Sequence, residues 1–500
     1  MTETAAPGSR ANVPAISEID KRNIVVGALI SMLLAALDQT IVAPALPTIG
    51  ATLGDPEWLS WVISAYFLTA TAVTPLYGKL ADIRGRRPVL FAAVGIFLAA
   101  SVVCALAPNM GVLIAGRALQ GLGGGGLIAL AQTIIGDVVP PRERPRYVTY
   151  ITGVWATASL AGPVVGGLFA QHIHWSLIFW INLPLGAVAL FLSERTLRKL
   201  PRVQRNHQLD WPGSLMVVGA TVMLMLALTL GGHRLAWLSA GTVGLLLGAA
   251  ALAGLFLWHQ TRAAEPLIPP RVMRNPVIAP MTLGLFFAMA SSIGLSVYFP
   301  VYLELVEGMG PANAGFALVV YLGGTVAGAN LSGRVIARVE RYEWVAIVGG
   351  LVAAAALFGL AAGAGLLPFW AVELAVGIAG MGTGTLFPVG TISVQNAAEP
   401  RDLGVATASM SFLRTLGSVV GVTVLGAILT GTGVVAEIGE GARHAAVDPA
   451  VAARAVDSFR WVFLVAAIAQ TIAVAILSRA EHRPLRGNTA STPGPAAGPE

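Results

Sequence analysis

LAGPVVGG, residues 160–167, returns as TLGSVVGV, residues 415–422. The echo sets Gly162 against Gly417 and Gly166 against Gly421, each pair 255 residues apart. Gly78-Lys79 reappears as Gly333-Arg334 at the same offset, and Gly121 matches Gly377 at an offset of 256. A repeat this long, carried by small residues in apolar helices, points to a duplicated membrane bundle. Such bundles commonly hold their cargo where the two halves meet.

Composition supports a membrane reading. The chain has 500 residues, of which 56% are hydrophobic and 11% charged, whereas ordinary globular domains are about 25% charged. Its 58 glycines suit helices that pack closely in lipid. Apolar runs recur near the ~20 residues a helix needs to cross a bilayer. The short alternating segments of a β-barrel are not seen. The fold class is therefore an all-α polytopic membrane protein. Cys104, the single cysteine, excludes an internal disulfide and a thiolate metal site. The net charge of +6 would suit nucleic acid, but the basic residues sit in loops between apolar runs, so no nucleic-acid partner is expected. The first apolar run begins at Ile24 behind Lys21 and Arg22. It carries Asp38 and lacks a cleavage region, so it reads as a retained helix rather than a signal peptide.

Periodicity and length predict fourteen spans, near 24–45, 58–78, 88–107, 111–136, 146–170, 175–194, 211–231, 236–257, 278–303, 314–334, 345–363, 368–392, 403–431 and 459–479. With the N-terminus inside, all but six of the 31 Lys and Arg fall on cytoplasmic segments. Arg234, Arg443, Arg454 and Arg460 fall outside, and Arg117 and Arg414 fall within helices. Both termini are therefore expected in the cytoplasm. All tryptophans except Trp155 lie near span ends, as an aromatic belt would have them. The domain plan is a disordered tail over 1–22, a six-helix bundle over 23–194, linkers with inserted spans 7 and 8 over 195–277, a second six-helix bundle over 278–480, and a tail over 481–500. The outer loop 432–458 mixes both charge signs and carries no assigned chemistry. Heavy use of Ala, Gly and Arg fits a GC-rich bacterium, and hence a plasma (inner) membrane.

Several stretches resemble signatures of the major facilitator superfamily. GKLADIRGRRP (Gly78 to Pro88) resembles its loop signature between spans 2 and 3. LIAGRALQGLGGG (Leu113 to Gly125) resembles its span-4 signature, with Arg117 at the basic position. LAGPVVGG is similar to the Gly-Pro signature of antiporter members. LDQTIVAPALP (Leu37 to Pro47), WSLIFWINLP (Trp175 to Pro184) and LDWPG (Leu209 to Gly213) resemble the fourteen-helix drug:proton antiporters. One departure is Pro44-Ala45, where that branch usually has Asn-Val. The resemblance implies two pseudo-symmetric six-helix bundles plus two inserted helices.

Each motif has a physical task. Gly78 and Gly85 permit a tight turn, and Asp82 offers a carboxylate to Arg86 or to a helix N-terminus. By resemblance that helix is span 13, so Gly78, Asp82, Gly85, Arg86 and Arg87 form a cytoplasmic gate. The bland alternative is a positive-inside loop. The second-half echo keeps Arg334 and Arg338 but no acid, so the gate should be asymmetric. Gly162, Pro163, Gly166 and Gly167 permit a kink and close helix approach, read equally as a hinge sealing the two halves or as small-residue packing.

Ionisable groups inside the bilayer each cost several kcal/mol unless partnered, and four stand out: Asp38, Arg117, Glu373 and Arg414. The repeat sets Arg117 opposite Glu373 at the 256 offset. This predicts a pair that forms when the carboxylate is ionised and separates when it takes a proton. By resemblance Asp38 carries a proton or holds a cationic substrate. Arg414 orients Glu373 or Asp38, or bonds to carbonyls. Asp137 and Glu143 are expected to pair with Arg142, Arg144 or Arg146. Tyr66, Trp155, Tyr298, Tyr321 and Phe412 are candidates for a drug pocket, along with Phe286, Phe287 and Met289. For each taken alone, a core or lipid-facing position is the stronger expectation.

The resulting expectation is an exporter of amphipathic or cationic drugs, working as a monomeric unit in the bilayer. It would be driven by the proton-motive force and would need no cofactor. A narrower exporter of an antibiotic, siderophore or lipid is the alternative. A membrane-embedded enzyme would need clustered His, Cys, Asp or Ser, yet all seven histidines fall in loops or at helix ends. No GxxxxGKS/T loop for ATP occurs. A channel would not need duplicated halves with buried carboxylates.

Overall fold

A computed structural model describes residues 18–54, 58–140, 143–198, 209–231, 235–309, 311–399, 402–431 and 449–485. The expected tails over 1–17 and 486–500, the linker 199–208 and most of the outer loop (432–448) lie outside the described residues. Among the described residues there are fourteen long helical segments: α1 (Glu18–Ile41), α2 (Leu59–Arg84), α3 (Arg86–Ala105), α4 (Met110–Val138), α5 (Arg144–His172), α6 (Asn182–Leu197), α7 (Trp211–Leu230), α8 (Ala240–Gln260), α9 (Ile278–Leu305), α10 (Pro311–Ile336), α11 (Glu343–Gly363), α12 (Phe369–Gly384, continued by Leu386–Ala397), α13 (Leu403–Gly431) and α14 (Pro449–Leu477). Thirteen are long and apolar enough to cross a membrane. The expectation was fourteen spans. The one outside that set is α2, whose apolar run is diluted by Thr69, Thr71, Thr74, Pro75 and Lys79.

Local chemistry sets the helix ends. Asn109 accepts from the Val112 N–H at 2.9 Å to cap α4, and Asp210 accepts from the Gly213 N–H at 2.9 Å to cap α7. Each satisfies an amide that the helix cannot. Gly85 alone separates α2 from α3 at φ 89°, a left-handed conformation that favours glycine. Several boundaries differ from the sequence expectation: α14 starts at Pro449 rather than near 459, inside the expected outer loop, and the expected span 175–194 is split into Leu177–Trp180 and Asn182–Leu197. The first helix starts at Glu18, inside the expected tail, and stops at Ile41. Pro44 falls in a short 3₁₀ turn, Ala43–Ala45, and a separate helix, Leu46–Leu53, follows.

Packing repeats the sequence echo. In the N-terminal half α1 packs on α5 and α6, α2 on α4, and α3 on α4 and α6. In the C-terminal half α9 packs on α13 and α14, α10 on α12, and α11 on α12 and α14. These are the same pairs shifted by eight helices. Apolar cores form separately within each half. The α7–α8 pair packs through α7 on α2 and, more lightly, on α13. A small apolar cluster joins Val217, Phe256 and Leu267 to Leu76 of α2 and Phe412 of α13. The rest of α8 points outward, with Leu247, Leu255, Leu257 and Trp258 exposed as lipid-facing side chains would be.

Candidate functional site

A buried polar cluster lies inside the N-terminal half. Asp38, near the end of α1, is fully buried. Arg117 of α4 donates to its Oδ2 at 2.6 Å. Gln120 Nε2 donates to Oδ1 at 2.9 Å, and Asn182 Nδ2, at the start of α6, donates to the same oxygen at 3.2 Å. Ser101 Oγ of α3 takes hydrogen bonds from Gln120 at 2.8 Å and Asn182 at 3.2 Å. Arg117 is also held by the Val62 carbonyl at 2.9 Å and Gln120 Oε1 at 2.5 Å. Its guanidinium lies over the Tyr66 ring, 4.5 Å from the centroid, with Phe179 at 5.9 Å. Cys104 Sγ closes the cluster 3.8 Å from Gln120 Oε1. A carboxylate with three donors and a cation over an aromatic face is the arrangement that lets a buried ion pair persist. One group keeps spare capacity: Asn182 Oδ1 is buried without a partner among the described residues.

This geometry corrects the sequence expectation that Arg117 pairs with Glu373. Repeat alignment identifies equivalent positions, and equivalent positions in two bundles are not adjacent ones. Glu373 sits in the first turns of α12, in the other half. Both its carboxylate oxygens are buried with no hydrogen-bond partner. Arg414, on α13, is not bonded to Glu373, to Asp38 or to a carbonyl among the described residues. The candidate cavity residues therefore separate into one paired site, Asp38 with Arg117, and two solitary groups.

The basic end of the molecule carries a second construction. Asp82 Oδ2 accepts from the Val405 N–H at 2.9 Å, at the start of α13, and Asp82 Oδ1 accepts from Arg86 at 2.5 Å. Arg86 Nε also donates to Asp137 at 2.8 Å. A Cβ on Gly78 would strike Ala408 and the Gly404 carbonyl, so the two halves touch backbone to backbone here. Gln395 Nε2 adds a bond at 3.2 Å to the Gln132 carbonyl on α4. Arg87 holds Glu194 at 2.6 Å, inside the N-terminal half. Asp137 binds Arg86, and Glu143 binds Lys21 across from α1; of the expected partners, Arg142 and the Arg144 side chain lie outside the described residues. Arg271 grips Asp402 with two bonds at 3.0 and 2.9 Å, a tie that sequence reasoning missed. Beside it lies a cleft of about 390 Å³ lined by Lys79, Asp82, Arg271 and Asp402.

The Gly-Pro run takes a different place from the expected seam between halves. Helix α5 is continuous through Pro163. Gly162 faces Thr40 and Gly166 faces the Ile41 carbonyl, both on α1. Thr40 Oγ1 donates to the Ala158 carbonyl at 2.7 Å across the same contact. Gly417 and Gly421 likewise bring α13 onto Phe286 and Ala290 of α9. The motif packs helices within each half. Gly167 meets open space.

The five aromatic candidates do not gather in one pocket. Tyr66 lies under Arg117. Trp155 packs beside Ala36 and Ala158, and Tyr298 donates to the Val422 carbonyl at 3.1 Å. Tyr321 shares a 2.7 Å hydrogen bond with Ser292. Phe412 packs toward the inserted pair. Among the described residues no group of three His, Cys, Asp or Glu is placed to hold a metal ion.

The Major Facilitator Superfamily family model matches residues 28–422. An MFS-type transporter of Mycobacterium tuberculosis is 34% identical over 426 residues, which is 85% of this chain and 62% of that relative. The chain thus spans less than two thirds of that relative's length. Multidrug resistance protein 3 of Bacillus subtilis is 32% identical over 409 residues, covering 81% of this chain and 79% of that protein. The proton:xylose symporter XylE superposes with a TM-score of 0.62 at 13% identity, over 92% of this chain and 95% of the symporter. With duplicated six-helix packing, a span-4 arginine in the buried core and an acid at the inter-half loop, the chain belongs to the Major Facilitator Superfamily of membrane transporters.

Proposed function

We propose that the chain is a proton-coupled exporter of amphipathic compounds, of the fourteen-helix drug:proton antiporter kind, working by alternating access in a bacterial plasma membrane. The observation that carries this reading is the Asp38 cluster. Asp38 is a fully buried acid whose charge the fold balances with an equally buried cation. Protonation would remove the negative charge that offsets Arg117. Breaking a buried pair of this kind typically costs about 3–5 kcal/mol. A proton arriving at Asp38 therefore shifts the relative stability of any two packings that differ around α1, α4 and α6. Both arms of the drive are adequate: about 1.4 kcal/mol per proton per pH unit, and about 2.3 kcal/mol per charge per 100 mV.

The basic-end ties from Asp82 to α13 would be the cytoplasmic gate that opens and closes in that cycle. Export of drugs is supported by the resemblance to Multidrug resistance protein 3. In the present arrangement Asp38 already has donors on both oxygens, so a cationic compound has no free carboxylate there. The test uses a pump-deficient bacterial host expressing the chain, challenged with a panel of toxic amphipaths, together with acidified everted vesicles from the same cells. Resistance to some compounds, and proton release from the vesicles when those compounds are added, is the expected result. Resistance without any proton movement would remove the coupling from the proposal.

A further inference from the structure

Arg414 is the one deeply placed cation left without a partner among the described residues. It is the twelfth of 29 residues in α13. At 1.5 Å per residue this puts it about 17 Å from the helix start, near the middle of a ~30 Å hydrocarbon layer. The helix that carries it packs on α2 and α4 of one half and on α9 of the other, so it lies along the seam between halves. Thr407, Ser411, Arg414 and Ser418 recur at helical spacing and share one face of α13. That face is turned toward the opposite half, because Ser411 Oγ approaches Gln132 Oε1 of α4 at 3.5 Å. Its other polar groups are neutral. Thr407 Oγ1 is buried without a partner, and Ser418 donates to the Arg414 carbonyl of its own helix at 3.1 Å. The Arg414 side chain is half-buried.

A guanidinium has five N–H donors and stays charged. Left unpaired at membrane depth it costs several kcal/mol, and such groups as a rule pair or face a water-filled path. Arg117 shows what this fold does with a structural arginine: it supplies a carboxylate, a carbonyl and an aromatic face. Arg414 receives none of these.

We infer that Arg414 is the anion-recognising residue of the transport path, and that the exported amphipath carries a carboxylate, sulfonate or phosphate group. The inference rests on the exporter reading and names its substrate class. The planar fork of donors matches two oxygens of such a group at once. Ser411, one turn before Arg414 on the same face, is the nearest further hydroxyl. The free hydrocarbon body of the compound would lie along the apolar walls of the seam. A free drug and a lipid headgroup present the same chemistry to this site.

The test compares two fluorescent probes with one apolar body, 4-(1-pyrenyl)butyrate and its trimethylammonium counterpart. Their binding to the purified chain in phosphatidylcholine nanodiscs is read by energy transfer from tryptophan, without a proton gradient. Wild type should bind the carboxylate more tightly than the cation. Arg414→Gln should lose about tenfold or more of carboxylate affinity. Arg414→Lys keeps the charge without the fork and should lose less, about threefold to tenfold. Cation binding should hold or rise in both variants. Unchanged carboxylate binding in Arg414→Lys and Arg414→Gln, parallel loss of both probes, or a wild-type preference for the cation would each overturn the inference. Competition by added phosphatidylglycerol that disappears in Arg414→Gln would identify a lipid headgroup as the occupant, and its absence a free amphipath. Failure of energised transport in vesicles would count against the exporter reading alone, because binding is measured without energy.

Discussion

In the N-terminal half the helix pair α2–α4 encloses Arg117, and around it stand Asp38, Gln120, Ser101 and Asn182. The matching pair in the C-terminal half, α10–α12, carries Tyr321 and Glu373. There the Tyr321 hydroxyl bonds to Ser292, through its hydroxyl and its carbonyl, and the surrounding cluster is apolar. Tyr66 and Tyr321 stand 255 residues apart, as do the glycines of the repeat. One has a cation on its face and the other a serine on its hydroxyl. The duplicated scaffold has thus been used for two ends. One half buries a compensated charge pair. The other leaves Glu373 and Arg414 without a charged partner among the described residues.

The largest expected effect tests that asymmetry through stability. Arg117→Leu strands a buried carboxylate and should destabilise the purified protein by about 3–5 kcal/mol, read as a lowered thermal midpoint in detergent. Its repeat equivalent, Glu373→Gln, has no partner to lose and should change stability by under about 1 kcal/mol. Equal effects would erase the distinction between the halves.

The next effect concerns the gate, where the halves also differ. Asp82→Asn removes a carboxylate that accepts from Val405 N–H and Arg86, each charge-assisted bond contributing about 1.5–3 kcal/mol. Single cysteines along the seam should become more reactive from the basic side. Arg334→Gln, at an exposed position in the echoed stretch, where Ala337 stands in place of the acid, should leave their labelling unchanged.

The halves should respond alike where the scaffold itself is shared. A valine at Gly166 or at Gly421 would meet the backbone of Ile41 or Ala290. Overpacking of this kind costs about 1–3 kcal/mol, and similar drops in thermal midpoint are expected for both. A loss at only one site would mean that the echo in sequence is not an echo in packing.

The smallest effect lies in the inserted pair, which belongs to neither half. Burial pushes the Asp210 carboxyl up, but bonds from the Gly213 N–H, His259 and Gln260 outweigh it and hold the group below the ordinary carboxylate range. A depressed native value gives stability that is present above the unfolded value and lost as pH falls through the native one. Asp210→Ala should therefore cost about 0.5–2 kcal/mol at neutral pH. The gap from wild type should close in acid below about pH 4.

Much of the architecture was legible because it rests on spacing and hydropathy. The 255-residue echo located both glycine contacts, Gly162 with Gly166 and Gly417 with Gly421, and the apolar runs located the helices. Asp38, Arg117, Glu373 and Arg414 stood out because charge is costly in hydrocarbon. Their partners did not, since adjacency across helices depends on rotation and tilt that a one-dimensional pattern does not carry. Alignment made Glu373 the counterpart of Arg117, and a counterpart by symmetry sits in the other half. Gln120, Ser101 and Asn182 were missed because neutral polar residues are common in such helices. Gln120, one helical turn after Arg117, was the nearest available signal. Arg271 with Asp402 was hidden by a sequence separation of 131 and an ordinary loop composition.

The central claim is that proton coupling resides in the paired half, at Asp38. Proton release from acidified everted vesicles on addition of an exported compound tests it directly, with Asp38→Asn and Glu373→Gln compared at equal expression. The account predicts that Asp38→Asn abolishes the release and Glu373→Gln retains it. Release that survives Asp38→Asn and vanishes with Glu373→Gln would contradict it.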